Sequence, residues 1–435
     1  MTRFSFWWVI VGMTGLILFA LGGVWYGGQS ALDSHLSILK GQGLPTTARE
    51  INDYYVVPEG TADTTELWVA AIDAVRGARL DVRGSTLPIV GNGPAPVPAP
   101  GEAWAELDQV RAFVGELEPE RQTILHAAKA GGQARFPVDF SAGINTLLPY
   151  TQEARGVARL LALDAFVSAH DAKGVRALED VVGIFALSDA LRGEPTIISQ
   201  LVRIAIHAMG CDTAVRLAPA GLWNDEELKS LQIAIQAAQF KAEMARALEG
   251  ERATMLSALE NMPLGPLRQA NGRETLRIFE RSIDAYSESW ADNLERQRGL
   301  SAELSAGARS QWTRLQMTGV QMMLPALEQG AVAGARAEAR QKCAVAVIAL
   351  QRYRLAHGRL PESLEEMKGH IPGAATEGGT ALVDPFDGKP LRYKIEEARV
   401  HIYSVGENAI DDGGDIGFGA TGASRPLDVG FSFPK

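Results

Sequence analysis

The sequence predicts a mainly α protein: an N-terminal transmembrane helix, an α-helical bundle or irregular solenoid, and then a small α+β module. Three observations carry that expectation. Phe6–Tyr26 contains no charged side chain. From Ala103 to about Leu355 apolar residues recur at three and four positions, the period of a helix with one buried face. From Pro361 onward turn residues alternate with short β-like pieces.

The first segment has the length of a membrane span. At about 1.5 Å per residue Phe6–Tyr26 covers roughly 30 Å, the thickness of the hydrocarbon layer. Trp7 and Trp8 flank one end and Trp25 and Tyr26 the other, where aromatic rings prefer the headgroup level. A cleaved secretory signal has a shorter apolar core and an A-x-A-like site. Gly22-Gly23-Val24-Trp25-Tyr26 is a poor site, so the segment reads as an uncleaved anchor; cleavage nearer Gln29-Ser30-Ala31 is the alternative. Arg3 precedes the helix, while Asp33 and His35 follow it, which orients the N-terminus to the cytoplasm. The expectation is a single-pass inner-membrane protein whose bulk faces the periplasm.

Composition bounds the rest. A chain of 435 residues holds two or three folded units. Its 46% hydrophobic residues supply sizeable cores and exclude a wholly disordered chain. A net charge of −10 argues against nucleic acid or anionic lipid as a general partner; solubility is the simpler reading of the acidity and cation binding the functional one. Cys211 and Cys343 sit in no CxxC pair and near no ligand-spaced histidine. They are either two buried thiols or, outside the cytoplasm, one disulfide.

The expected organisation runs in chain order: a cytoplasmic tip (1–5), the anchor (6–27), a juxtamembrane segment (28–102), a helical domain (103–330), the α+β module (331–422) and a loose tail (423–435). Ser30–Gly41 reads as a short helix. Gly84–Gly101 is rich in Pro and Gly and reads as a linker at a boundary, or as a long excursion from the helical domain. Helices are expected over Ala154–His170, Gly174–Leu191 and Ile197–Leu217, separated by Asp171–Gly174, Gly193-Glu194-Pro195 and Pro219-Ala220-Gly221. Asn224 with Glu227 three residues on predicts a capping box opening a helix through Leu248. Leu160–Leu191 loosely resembles one tetratricopeptide hairpin, without a second copy at a fixed period. A last long helix is expected over Leu324–Ala356.

The C-terminal motifs carry a resemblance. Glu338–Leu364 (EARQKCAVAVIALQRYRLAHGRLPESL) is an Ala-rich helix ending in a Tyr-Arg-Leu-x-x-Gly-Arg-x-Pro turn. Asp384-Pro385-Phe386-Asp387-Gly388-Lys389-Pro390-Leu391-Arg392-Tyr393 follows, then Tyr403-Ser404-Val405-Gly406 and Asp411-Asp412-Gly413-Gly414-Asp415-Ile416. These three motifs in this order resemble the C-terminal domain of the major pseudopilin of type II secretion systems. The whole chain is similar to large membrane-anchored proteins of planctomycete-type bacteria that carry such a module behind a helical region. The residues support a compact unit unaided: Gly358 suits a left-handed helix cap, Pro361 stops the helix, and Asp384-Pro385 and Asp387-Gly388 are turn signals before two short strands. The chain departs from the pseudopilin pattern at its N-terminus. No Gly-Phe-Thr processing signature precedes Phe6, no glutamate stands at the fifth position of the span, and the whole helical region separates the span from the module.

The resemblance implies a calcium loop, with Asp411, Asp412 and Asp415 as ligands and Asn408 and the Ser404 carbonyl as further oxygens. Three close carboxylates on a flexible loop suit a hard cation that takes six to eight oxygens; a solvated acidic turn is the simpler reading. His207 lies on an apolar helix and reads as a satisfied core histidine, and His357 as a partner of the long helix's C-terminal dipole. Asp189 with Glu194, and Glu179 with Asp180, are possible acid–base pairs of a kind any helical protein has. Gly91-Asn92-Gly93 reads as loop, and no HExxH, GxSxG, phosphate-loop or dinucleotide fingerprint occurs in a supporting context. The expected function is a membrane-tethered extracytoplasmic interaction or scaffold protein, its module calcium-binding. The alternatives are an accessory component of a type II secretion or pilus-like system and an envelope hydrolase with its site in the helical domain.

Overall fold

A computed structural model describes residues 31–93, 97–264, 267–307, 318–373, 382–416 and 427–435. The anchor expected at Phe6–Tyr26 lies outside the described residues; among those residues no helix is long and apolar enough to cross a membrane.

The mainly helical expectation holds. A first helix, α1 (31–41), precedes α2 (Ile51–Tyr54), α3 (Thr65–Gly77), α4 (Leu80–Arg83), α5 (Leu107–Glu116) and α6 (Glu118–Ala130). The central hairpin is α7 (Pro149–His170) and α8 (Gly174–Ala190), followed by α9 (Ile197–Leu217). The sequence of α7 explains its place: one unbroken run from Leu160 to Ala169 is buried on all sides, so neighbours must cover every face. Close approach to α8 is possible at Gly183, where an added Cβ would stand 3.0 Å from Leu161. Phe185 lies against Gly210 of α9 in the same way.

The Pro/Gly-rich stretch proves to be an excursion of the helical body. Leu87, Val90 and Val97 are buried in the same core as α3 and α7, and His170 and Arg216 bond to the carbonyls of Pro98 and Val97. These three buried apolar side chains, set among turn residues, fasten it down.

The capping box at Asn224 and Glu227 is present, with both reciprocal bonds formed, but its helix α10 (Asp225–Gln236) ends early and a new helix, α11 (Phe240–Asn261), begins after a break. The break has a partner. Gln341 Nε2 donates to the carbonyls of Ile235 and Ala238, at 2.7 and 3.1 Å, which the interrupted ladder leaves free. The apolar period alone does not reveal a break stabilised from a hundred residues away.

Then come α12 (Arg268–Ala285), α13 (Trp290–Gly307) and the 40-residue α14 (Thr318–His357), which starts before the expected Leu324. Its N-terminal half packs with α11, α12 and α13. Its C-terminal half runs along α9 and α10, and one continuous core joins Cys343–Leu350 to α7, α8 and α9 and to the sheet. The sheet is antiparallel, in the order β1 (Arg392–Ile395), β2 (Arg399–Ser404), β3 (Val429–Pro434). The third strand comes from the stretch expected as a loose tail. Val429, Phe431 and Phe433 alternate with smaller or polar residues and turn one apolar face to the core. That alternation spans too few residues to stand out beside the glycines before it.

Candidate functional site

The module's motifs meet at one side chain. Asp384 is fully buried, and its carboxylate accepts from Ser404 Oγ (2.7 Å), the backbone N–H of Val405 (2.9 Å), the backbone N–H of Phe386 (3.0 Å) and Arg392 Nη1 (3.1 Å). Asp387 holds the other arm of Arg392, and the guanidinium keeps the Asp387 carboxyl below its ordinary range against the opposing effect of burial. The turn before β1 and the end of β2 are thereby tied to one carboxylate. Sequence reading marked Asp384 as a turn residue and missed this role; its position before Pro385 gives the turn but not the partner twenty residues on.

The acidic loop follows β2. Asp411 Oδ1 accepts from the Tyr403 hydroxyl and the backbone N–H of Gly413, both at 3.0 Å, and Asp412 Oδ2 accepts from Asn408 Nδ2 at 2.8 Å. Asp415 lies at the loop's end, where its N–H donates to Asp428 Oδ2 at 3.1 Å. Gly414 N–H donates to the same oxygen at 2.8 Å. Asp428 was not anticipated. It is 1% exposed, its Oδ1 has no hydrogen bond of normal geometry, and burial pushes its carboxyl up against the backbone N–H groups of Gly414, Asp412 and Asp415. The loop carries three carboxylates, and its Gly414 and Asp415 N–H groups reach a fourth, Asp428. Asp411 and Asp412 face different neighbours, and among the described residues no three His, Cys, Asp or Glu side chains converge on a point. The donors are oxygens, as calcium requires, and the orphan Asp428 Oδ1 is the feature that fits a cation.

In the helical body the sequence-flagged acids have internal partners. Arg121 lies between Asp180 Oδ1 (2.7 Å) and Asp164 Oδ2 (2.8 Å), and Arg176 also reaches Asp164 at 2.8 Å. Burial and the adjacent Asp164 carboxylate push Asp180 well above its ordinary value. Glu179 is on the outer side, paired with Lys129 at 2.9 Å. Glu194 is fully buried, accepts from Thr151 Oγ1 at 2.7 Å and keeps one unpartnered oxygen; burial raises it to about 7, against bonds from Thr151 and Ser199. Asp189 is pushed up by burial and faces Arg192, not Glu194. Arg203, buried on α9, binds Glu243 of α11 and the carbonyl of Ser188 at 2.9 Å.

His207 is a core histidine. Its Nε2 bonds to the Ile235 carbonyl at 3.0 Å, its ring packs edgewise on Phe185 and Phe240, and burial lowers it to about 3. His357 bonds to the Tyr353 carbonyl at 3.0 Å and stacks on that ring, at the end of α14 as expected. Cys211 and Cys343 are both buried free thiols, and burial raises both. Gly91-Asn92-Gly93 is loop.

Comparisons of the chain with protein-family models, with curated proteins and with solved structures find no match.

Proposed function

We propose that the protein is a membrane-tethered scaffold, held at the inner membrane by Phe6–Tyr26 with its bulk in the periplasm, whose pseudopilin-like module is stabilised by calcium at the acidic loop. Asp411, Asp412 and Asp415 supply carboxylates and Asp428 a fourth. The orphan oxygen of Asp428 is the single observation that carries the calcium reading, because a buried carboxylate oxygen without a donor is costly unless a cation faces it. The scaffold reading is supported by how the helical body uses its buried charges: Arg121 with Asp164 and Asp180, and Arg203 with Glu243, join helix to helix.

Thermal unfolding of the full chain in detergent tests the module. Calcium at a hundredfold excess over its Kd stabilises a folded protein by about 2.7 kcal/mol, so the melting temperature is expected to rise with calcium and fall with EGTA. Asp411→Asn with Asp412→Asn should abolish the response; a melting temperature indifferent to EGTA would sink the calcium reading. Cell fractionation tests the tether, which predicts recovery with the inner membrane and digestion by protease added to spheroplasts. Recovery of secretion-system subunits on co-purification would move the assignment to an accessory of that machine.

A further inference from the structure

A cleft of about 350 Å³ opens between α3, α4 and α7, away from the module. Its floor is apolar and buried: Val75, Leu80 and Val90. Its rim carries Arg76, Arg155 and Arg159 together with Asp81, Gln152 and Glu153. A small concave site with an apolar base and a few charged groups is the usual form of a small-molecule pocket.

Two features single it out. Arg155 and Arg159 stand four residues apart on α7, so their guanidinium groups are neighbours on one helix face and repel. Among the described residues neither has a hydrogen bond or ion pair, although Asp81 and Glu153 line the same cleft. Arg76 differs, being paired with Asp73 at 2.5 Å. Two unneutralised like charges at the mouth of a cavity are an electrostatic vacancy for an anion, and the planar guanidinium fork suits a carboxylate or phosphate.

The second feature is Gly156, between them. A glycine inside a helix is unfavourable relative to alanine. Here packing does not demand one: an added Cβ would meet only Val75 at 3.8 Å and Leu80 at 3.9 Å, ordinary contact distances. This contrasts with Gly183 on the facing helix, where Leu161 is at 3.0 Å. Gly156 keeps the cleft open over its apolar floor.

We propose that this cleft binds a small organic anion. Its carboxylate or phosphate group is held by Arg155 and Arg159, and its apolar body rests on Val75, Leu80 and Val90. The inference is independent of the calcium reading, since it concerns different residues and a different ligand charge.

Calorimetric titration of the full chain at low ionic strength tests it, with phenyl phosphate and benzoate as probes and phenol as the uncharged control. Saturable one-to-one binding of at least one anion is expected, with none for phenol. Arg155→Ala with Arg159→Ala should weaken it tenfold or more. Gly156→Leu, which leaves every charge in place and fills the cleft, should weaken it as much. Both changes fall on surfaces with room for them, so melting temperatures should stay near that of the parent chain. No saturable binding of either anion, or binding that survives both variants undiminished, overturns the proposal.

Discussion

The Asp384 carboxylate accepts the Ser404 hydroxyl at 2.7 Å in a fully buried setting, joining the turn before β1 to the last residue of β2. The same carboxylate faces Arg392, so the contact belongs to a small buried ionic cluster and not to an isolated polar pair.

Asp384→Asn should therefore destabilise the protein by about 3 kcal/mol, as expected when one member of a buried ion pair is removed. Ser404→Ala removes one neutral donor and should cost about 1 kcal/mol. Urea denaturation of the two variants checks the ratio. Equal effects would show that Arg392 contributes nothing to the cluster.

Glu194 predicts a pH dependence of stability. Its folded pKa, about 7, stands above the ordinary 4.5, so between these values the unfolded chain binds fewer protons than the folded one. Stability then falls as pH rises from about 4.5 to about 7, by roughly 3 kcal/mol in all. His207 acts in the opposite sense: lowered to about 3, it leaves the folded state unprotonated while the unfolded chain gains a proton below 6.5, and stability falls as pH falls. The two effects oppose each other between pH 4.5 and 6.5. Glu194→Gln should raise stability by about 2 kcal/mol at pH 8 and little at pH 4, measured from denaturation midpoints.

Gly250 marks where α11 crosses the turn after α8. An added Cβ would stand 2.0 Å from the Pro195 carbonyl oxygen, a backbone atom that cannot swing aside. Gly250→Ala should cost about 2–3 kcal/mol, the effect of overpacking a closed core. Thermal denaturation measures it, with Gly115→Ala on an open helix surface as the control expected to be neutral or stabilising.

Gln341 gives a fourth prediction. Gln341→Leu leaves the Ala238 carbonyl without its side-chain donor and the Ile235 carbonyl with His207 alone. A cost of about 1–2 kcal/mol is expected, chiefly for the orphaned Ala238 acceptor, read as a lower urea midpoint.

Much of the helical architecture could be read from periodicity and punctuation. The Asn224 and Glu227 box, the turns at residues 171–173 and 193–195 and the ends of α7 to α9 are all local signals, and local signals are what a sequence displays. What escaped depends on distant partners. The break before α11 is held by Gln341, β3 exists because β2 offers it an edge, and Asp384 gains its meaning from Ser404 and Val405. The acidic loop was legible as a run of aspartates, but Asp428 joins it from the far side of a strand connection and carries no mark of its own.

The 40-residue helix α14 is about 60 Å long at 1.5 Å per residue, and its two halves serve two different cores. Where to cut the gene follows from this. A fragment starting near residue 331 would keep the sheet yet strip α7, α8 and α9 from the core that buries Ala344, Val347 and Leu350. The complementary fragment would lose the strut against which α9, α10 and α11 close. Expression trials that separate the two halves should return insoluble material from both, and a truncation series is best planned from the ends of the chain inward.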